Sequence, residues 1–222
     1  MADEITVVSP TVLDATTRPW SAGWSRGFGP RPVVAAAQQM TVKEGSMHSL
    51  SIAKGEDRLV VFRVLSHERV ELAARAPAGA TSLVARPLAH AIEDGDRLLF
   101  GANTVLEVGT TALPGSTALT VSALPGPLAF GAMGHKIRNL DGQTLQIEIL
   151  RRASDEEPLI TKDVVITDTA DGLCQFEVLG EDTEDLDVGS YFGAFWCRDP
   201  GNAHLIAPLH VQVYPAGFLG DS

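Results

Sequence analysis

The sequence predicts an all-β fold, and three observations lead to that prediction. Short runs rich in Val, Ile, Leu and Thr recur along most of the 222 residues and are separated by Gly, Pro, Asp and Asn, a pattern typical of short strands and tight turns. Thirteen prolines leave little room for long helices. A segment of apolar residues interrupted by glycines also occurs twice, 36 residues apart, as GATSLVARPLAHAIEDGD and GSTALTVSALPGPLAFGA.

Composition sets the broad class of the protein. The chain is 45% apolar, which supplies a core for one large domain or two small ones. The longest uncharged stretch, residues 108–134, is interrupted by prolines and glycines, so we do not expect it to form a membrane span. Two cysteines are too few for a disulfide framework.

The negative charge lies mostly in the C-terminal part. Residues 1–135 carry eleven basic and twelve acidic side chains, whereas residues 136–222 carry six basic and sixteen acidic ones. An acidic surface repels phosphate backbones, so we expect no direct binding of nucleic acid. Acidic loops that keep a domain in solution are the simpler interpretation, and a specific basic partner is the alternative.

Residues 1–57 are predicted to form an extended N-terminal arm. Prolines break any long helix there, and Trp20, Trp24 and Phe28 stand among glycines. A glycine-rich segment cannot bury such large rings by itself. We therefore predict Trp20, Trp24 and Phe28 as partner-docking residues, and a fold-back of the arm over its own domain stays open as the alternative.

Residues 58–134 are predicted to form a duplicated β-module. The duplicated residues are mainly turn glycines and apolar core residues, which are residues that determine a fold. Two copies are too few for a solenoid, so we expect a small barrel or sandwich of two pseudo-equivalent halves. The matching pairs are Glu71/Glu107, Ala76/Ala112, Gly79/Gly115, Thr81/Thr117, Leu83/Leu119, Leu88/Leu124 and Gly95/Gly131.

Residues 135–215 are predicted to form an immunoglobulin-like sandwich, followed by a tail at residues 216–222. Strand runs alternate with turn signals over about eighty residues, the spacing of such a domain. Alternation directs Cys174, Phe176 and Val178 to the core, and the same parity directs Tyr191 and Cys197 inward. Both cysteines are therefore expected to be free, buried thiols.

A search for reactive or ligand-binding residues predicts no catalytic, cofactor or metal site. The six histidines lack helical i,i+4 spacing and nearby cysteine pairs. The acidic turns do not match a calcium-binding loop, and no nucleophile-elbow or phosphate-binding motif is present. The carboxylates between Glu181 and Asp187 fall in a solvated loop, where little would separate their pKa values for acid–base work.

One stretch of the C-terminal part carries a resemblance to a known family. DGLCQFEVLGEDTEDLDVGSY, with its Asp171-Gly172 turn, alternating strand and Gly189-Ser190-Tyr191, resembles the immunoglobulin-like domain of phage baseplate upper proteins and related virion components, and LHVQVYP is similar to the way those domains close. The GATSL/GSTAL repeat also resembles segments of phage tail and head accessory proteins. Tyr191 matches the corner tyrosine of such sandwiches, whose hydroxyl bonds to nearby backbone.

The resemblance implies a tailed-phage virion structural protein that is assembled in the host cytoplasm. The expected function is that of a non-enzymatic adaptor, with other phage structural proteins and further copies of itself as partners. We place it at the baseplate or tail-fibre attachment region ahead of a head-decoration or neck position. The alternative class is a carbohydrate- or surface-binding module, for which Phe195 and Trp196 are the candidate aromatic platform.

Overall fold

The computed structural model describes residues 38–199, 201 and 203–217, and in this part the chain forms thirteen strands and one single-turn helix. The all-β prediction is confirmed. The helix, α1, spans Gly180–Thr183, between β11 and β12. The strands are β1 (Gln38–Lys43), β2 (His48–Ala53), β3 (Arg58–Glu71), β4 (Ser82–Val84), β5 (Arg97–Phe100), β6 (Thr104–Glu107), β7 (Ala118–Thr120), β8 (Met133–Ile137), β9 (Leu145–Leu150), β10 (Ile160–Asp168), β11 (Leu173–Val178), β12 (Gly189–Cys197) and β13 (His204–Tyr214).

Eight of these strands build a two-layer structure that we call the sandwich, formed by residues 38–65 and 140–217. The hydrogen-bonded order is β2-β13-β12-β9-β10-β11-β3, with β1 parallel to β3. Strand β10 pairs with β9 through residues 160–164 and with β11 through residues 165–168, so it connects the two layers. Phe62 of β3 and Phe195 of β12 lie on opposite layers, with ring centroids 5.0 Å apart.

The core of the sandwich follows the alternation expected from the sequence. Cys174, Phe176 and Val178 are buried on one layer, and Tyr191 and Cys197 are buried on the other. Both cysteines are free, as predicted. Burial raises the pKa of the Cys174 thiol to about 12, so this sulfur is a packing group and a poor nucleophile.

Residues 68–139 form a second compact region, the repeat module, which is inserted between β3 and β9. Its copies are residues 68–103 and 104–139, and they pair through equivalent positions. In the β4–β7 pair Leu83 lies opposite Leu119, its own counterpart in the other copy. In the β5–β8 pair Leu99 lies opposite His135, again its counterpart. These two self-pairings define a pseudo-two-fold axis.

The backbone hydrogen bonds of the module are exchanged between its copies in the same symmetric way. The amide of Gly79 donates to the carbonyl of Leu124 at 2.9 Å, and the amide of Gly115 donates to the carbonyl of Leu88 at 2.8 Å. The duplication predicted from the sequence is therefore an interlocked pair of copies that share one aliphatic core. Within the described residues the sheet ends at β6 and does not close into a barrel.

The structure corrects the boundary of the predicted arm. Residues 38–57 were assigned to that arm, yet they contain β1 and β2, which bury Val42, Leu50 and Ile52 in the sandwich. Residues 58–65, assigned to the duplicated module, also belong to the sandwich. QQMTVK and HSLSIA are short strands whose outward residues are polar. They can bury their few apolar residues only by pairing with β3 and β13, which lie in the sandwich. The sandwich is consequently not contiguous in sequence.

Candidate functional site

The predicted docking residues Trp20, Trp24 and Phe28 lie outside the described residues. The candidate sites within the described part are the charged junction between the sandwich and the repeat module, a histidine cluster beside it, and the exposed turns of the module. No helix in the described part of the chain has the length and apolar character to span a membrane.

The first part of the junction is centred on Lys136 at the end of β8. Its ammonium lies 3.0 Å from Glu68 Oε2 on β3 and 2.9 Å from Asp96 Oδ2. Burial lowers the pKa of Lys136, but the hydrogen bonds to Asp96 and Glu68 outweigh this effect and leave the pKa raised. The lysine therefore stays charged and connects β3, β8 and the turn before β5.

The second part of the junction is centred on Arg138, where the chain returns to the sandwich. Its guanidinium donates to Glu44 Oε1 at 3.0 Å and lies 3.0 Å from Nε2 of His204. Glu44 follows β1, and its other oxygen is 3.6 Å from Nδ1 of His67. These contacts join the N-terminal and C-terminal segments of the sandwich at the point where the module begins.

A third contact holds β5 of the module against the sandwich. Arg97 of β5 donates to Asp171 Oδ1 at 2.7 Å, and the carbonyl of Asp171 accepts a hydrogen bond from Arg63 Nε at 3.1 Å. The Asp171-Gly172 turn is tightly enclosed, because a Cβ at Gly172 would lie 2.9 Å from two backbone oxygens. The turn that carries part of the family resemblance is therefore also a contact point between module and sandwich.

The fold brings together three side chains that the sequence analysis treated as unrelated. One nitrogen of His67, one nitrogen of His90 and one carboxylate oxygen of Glu68 lie within 4.8 Å of one another. The two imidazole rings meet edge to face at 5.5 Å. His90 reaches β3 because the amide of Arg86 donates to the carbonyl of Glu71 at 2.8 Å. No linear spacing signals this cluster, since the histidines are far apart in sequence.

The exposed apolar groups of the module are asymmetric between its copies. Leu113 and Phe130 are 65% and 62% exposed, and both lie in turns of the second copy. The equivalent positions of the first copy are Pro77 and Asp94. The second copy therefore presents these two apolar turns to solvent, while in the first copy Val84 of β4 is exposed.

The candidate aromatic platform in β12 is not open. Phe195 is buried in the sandwich core. Trp196 points the other way and is partly buried, with the guanidinium carbon of Arg198 4.6 Å from its ring centroid. A sugar would have to displace this arginine before it could stack on the indole. Neither residue provides a ready carbohydrate-binding surface.

Comparison with known proteins finds likenesses to solved structures only. No protein-family model matches the chain, and no curated protein does. Among solved structures, the N-terminal domain of phage TP901-1 ORF48 is similar to 80% of this chain over 97% of its own length, with 10% sequence identity and a TM-score of 0.34. A TM-score at this level does not establish a shared fold.

Proposed function

We propose that this protein is a non-enzymatic structural or adaptor component of a tailed-phage virion, at the baseplate or tail-fibre attachment region in preference to a head-decoration or neck position. The observation that carries the adaptor role is the insertion of the repeat module into the sandwich through one continuous strand, β3. Such an arrangement holds two lobes in fixed positions, as a connecting component of an assembly requires.

The junction supports this proposal because it resists hinge motion. Strand β3 runs through both regions over its 14 residues, with a shift in its register against β8 between Leu65 and Arg69. The contacts of Arg138 with Glu44 and of Arg97 with Asp171 bind the module to the sandwich at two separate places. Each ion pair alone contributes little to stability. Together with the shared strand they restrict the orientation of the module.

The virion assignment is supported by the resemblance in the C-terminal sequence. Its residues form β11, α1 and the start of β12, so the resembling string is a continuous part of the sandwich. The hydroxyl of Tyr191 donates to the carbonyl of Asp187 at 2.9 Å, as expected of a corner tyrosine. The exposed turns of the second copy, with Leu113 and Phe130, are apolar surfaces that a neighbouring virion protein could cover.

Composition analysis of purified particles tests the virion role. We expect peptides of this chain in particles purified from the phage that encodes it, at a fixed ratio to the major tail protein, and we expect labelled antibodies to bind near the tail tip. Labelling at the head or neck would instead support the head-decoration or neck position. Absence from complete, infectious particles would refute the proposal.

A docking variant tests the predicted role of the arm. Replacing Trp20, Trp24 and Phe28 together by Ala should leave thermal unfolding of the body unchanged but prevent incorporation into particles, because the arm would lose its large apolar anchors. Val188→Ala, which shortens a side chain that is 53% exposed, is the matched control and should incorporate normally. Normal incorporation of the triple variant would contradict this role.

A further inference from the structure

We propose that His67, Glu68 and His90 bind one Zn²⁺ ion at the base of the repeat module. The sequence predicts no metal site, and the proposal rests on the three-dimensional proximity of these side chains. It is independent of the virion role proposed above.

The ligand geometry is close to that of a zinc site. The three ligand atoms lie within 4.8 Å of one another, whereas tetrahedral zinc with bonds near 2.0–2.1 Å separates its ligands by about 3.4 Å. The side chain of His67 is 61% exposed, and His90 is also exposed. Rotation of these two exposed imidazoles can therefore close the remaining gap without moving the backbone.

Neighbouring carboxylates and Lys136 orient two of the ligands. Glu44 Oε2 is 3.6 Å from Nδ1 of His67, which leaves Nε2 for the metal in the arrangement common to zinc-bound histidines. Lys136 contacts Oε2 of Glu68 at 3.0 Å, and we assign Oε1 to the metal. The positive charge of Lys136 is shared with Asp96, which is 2.9 Å from the ammonium.

The donor set favours zinc over the harder cations. Two imidazoles and one carboxylate suit Zn²⁺, whereas Mg²⁺ and Ca²⁺ prefer all-oxygen ligands. Three protein ligands leave a fourth position for water.

The cluster of His67, Glu68 and His90 is not repeated in the second copy. The positions 36 residues after His67, Glu68 and His90 are Asn103, Thr104 and Gly126, none of which is an imidazole or a carboxylate. The cluster therefore is not a by-product of the duplicated fold. A bound ion would join β3 to the segment that leads into Ile92, at the point where the module leaves the sandwich.

Metal titration of the untagged, full-length protein tests the site. After metal removal with a chelating resin, calorimetry with Zn²⁺ should show one equivalent bound, and Co²⁺ should give the visible absorption of tetrahedral coordination. At a free Zn²⁺ concentration of about 100 times the dissociation constant, Tm should rise by about 5 °C or more. No binding, or the spectrum of six-coordinate Co²⁺, would overturn the proposal.

Variants localise the bound ion. The double variant His67→Ala/His90→Ala and the single variant Glu68→Gln should each weaken Zn²⁺ binding by at least about tenfold. Metal-free Tm values and circular dichroism establish that each variant is folded. His210→Ala, which removes an exposed histidine of β13, is the control and should bind as the unchanged protein does. Retained affinity in the double variant, or in Glu68→Gln, would contradict the proposed ligand set.

Discussion

The sandwich and the repeat module are both made of short strands, but they hold together by different means. The sandwich joins segments that are far apart in sequence, and aromatic rings fill the space between its layers, with Phe62 5.0 Å from Phe195 and 6.0 Å from Phe176. The module joins two neighbouring copies of one sequence, and its core is aliphatic apart from Phe100. The difference indicates that the sandwich depends on aromatic packing between distant segments, whereas the module depends on pairing between equivalent positions of its two copies.

The largest effect should come from the aromatic core of the sandwich. Phe195→Ala should lower the free energy of unfolding by about 3–5 kcal/mol, because the ring is fully buried and the two layers cannot close over the cavity. Urea unfolding followed by tryptophan fluorescence measures this loss. A loss below about 1 kcal/mol would contradict the view that ring packing holds the layers together.

The self-pairing of the module predicts coupled effects at Leu83 and Leu119. Each Leu→Ala change should cost about 2–4 kcal/mol, since both side chains are fully buried. The double variant should depart from additivity by about 0.5 kcal/mol or more, because the two positions are direct cross-strand partners. Leu83→Ala combined with Leu140→Ala, which lies in the sandwich core, is the additive control.

Much of this architecture could be predicted from the sequence, because it is local. The 36-residue repeat and the alternation in β11 and β12 follow from spacing alone. The interleaving of β1, β2 and β3 with β9–β13 could not be predicted, since it depends on which distant segments bury each other. The cluster of His67 and His90 could not be predicted either, because it also depends on which distant segments the fold brings together.

Phe100 of the first copy packs closely on Gly134 of the second copy, its partner in the β5–β8 pair. A Cβ at Gly134 would lie 2.4 Å from the ring of Phe100, so Gly134→Ala should cost about 1–3 kcal/mol through overpacking. Gly126→Ala is the matched control, because nothing lies within 4 Å of its added Cβ, and it should change stability by less than about 0.5 kcal/mol. Phe100→Leu should partly rescue Gly134→Ala, and equal effects of the two glycine changes would refute the packing argument.

A smaller effect is expected at the corner tyrosine of the sandwich. Tyr191→Phe removes the hydrogen bond to the carbonyl of Asp187 and should cost about 1 kcal/mol. Tyr191→Ala also removes a buried ring and should cost about 3 kcal/mol or more. Thermal unfolding of both variants measures the difference, and equal, negligible losses would show that the ring does not pack in the core.

The central claim is that residues 68–139 are inserted into a sandwich that needs segments from both sides of them. A spliced chain tests it most directly. Leu65 and Ile137 are paired across β3 and β8, so residues 66–136 can be replaced by an Asn-Gly hairpin turn. We predict that this chain unfolds cooperatively, whereas residues 135–222 alone, which lack β1–β3, are unfolded by circular dichroism. A stable 135–222 fragment together with an unfolded spliced chain would contradict the claim.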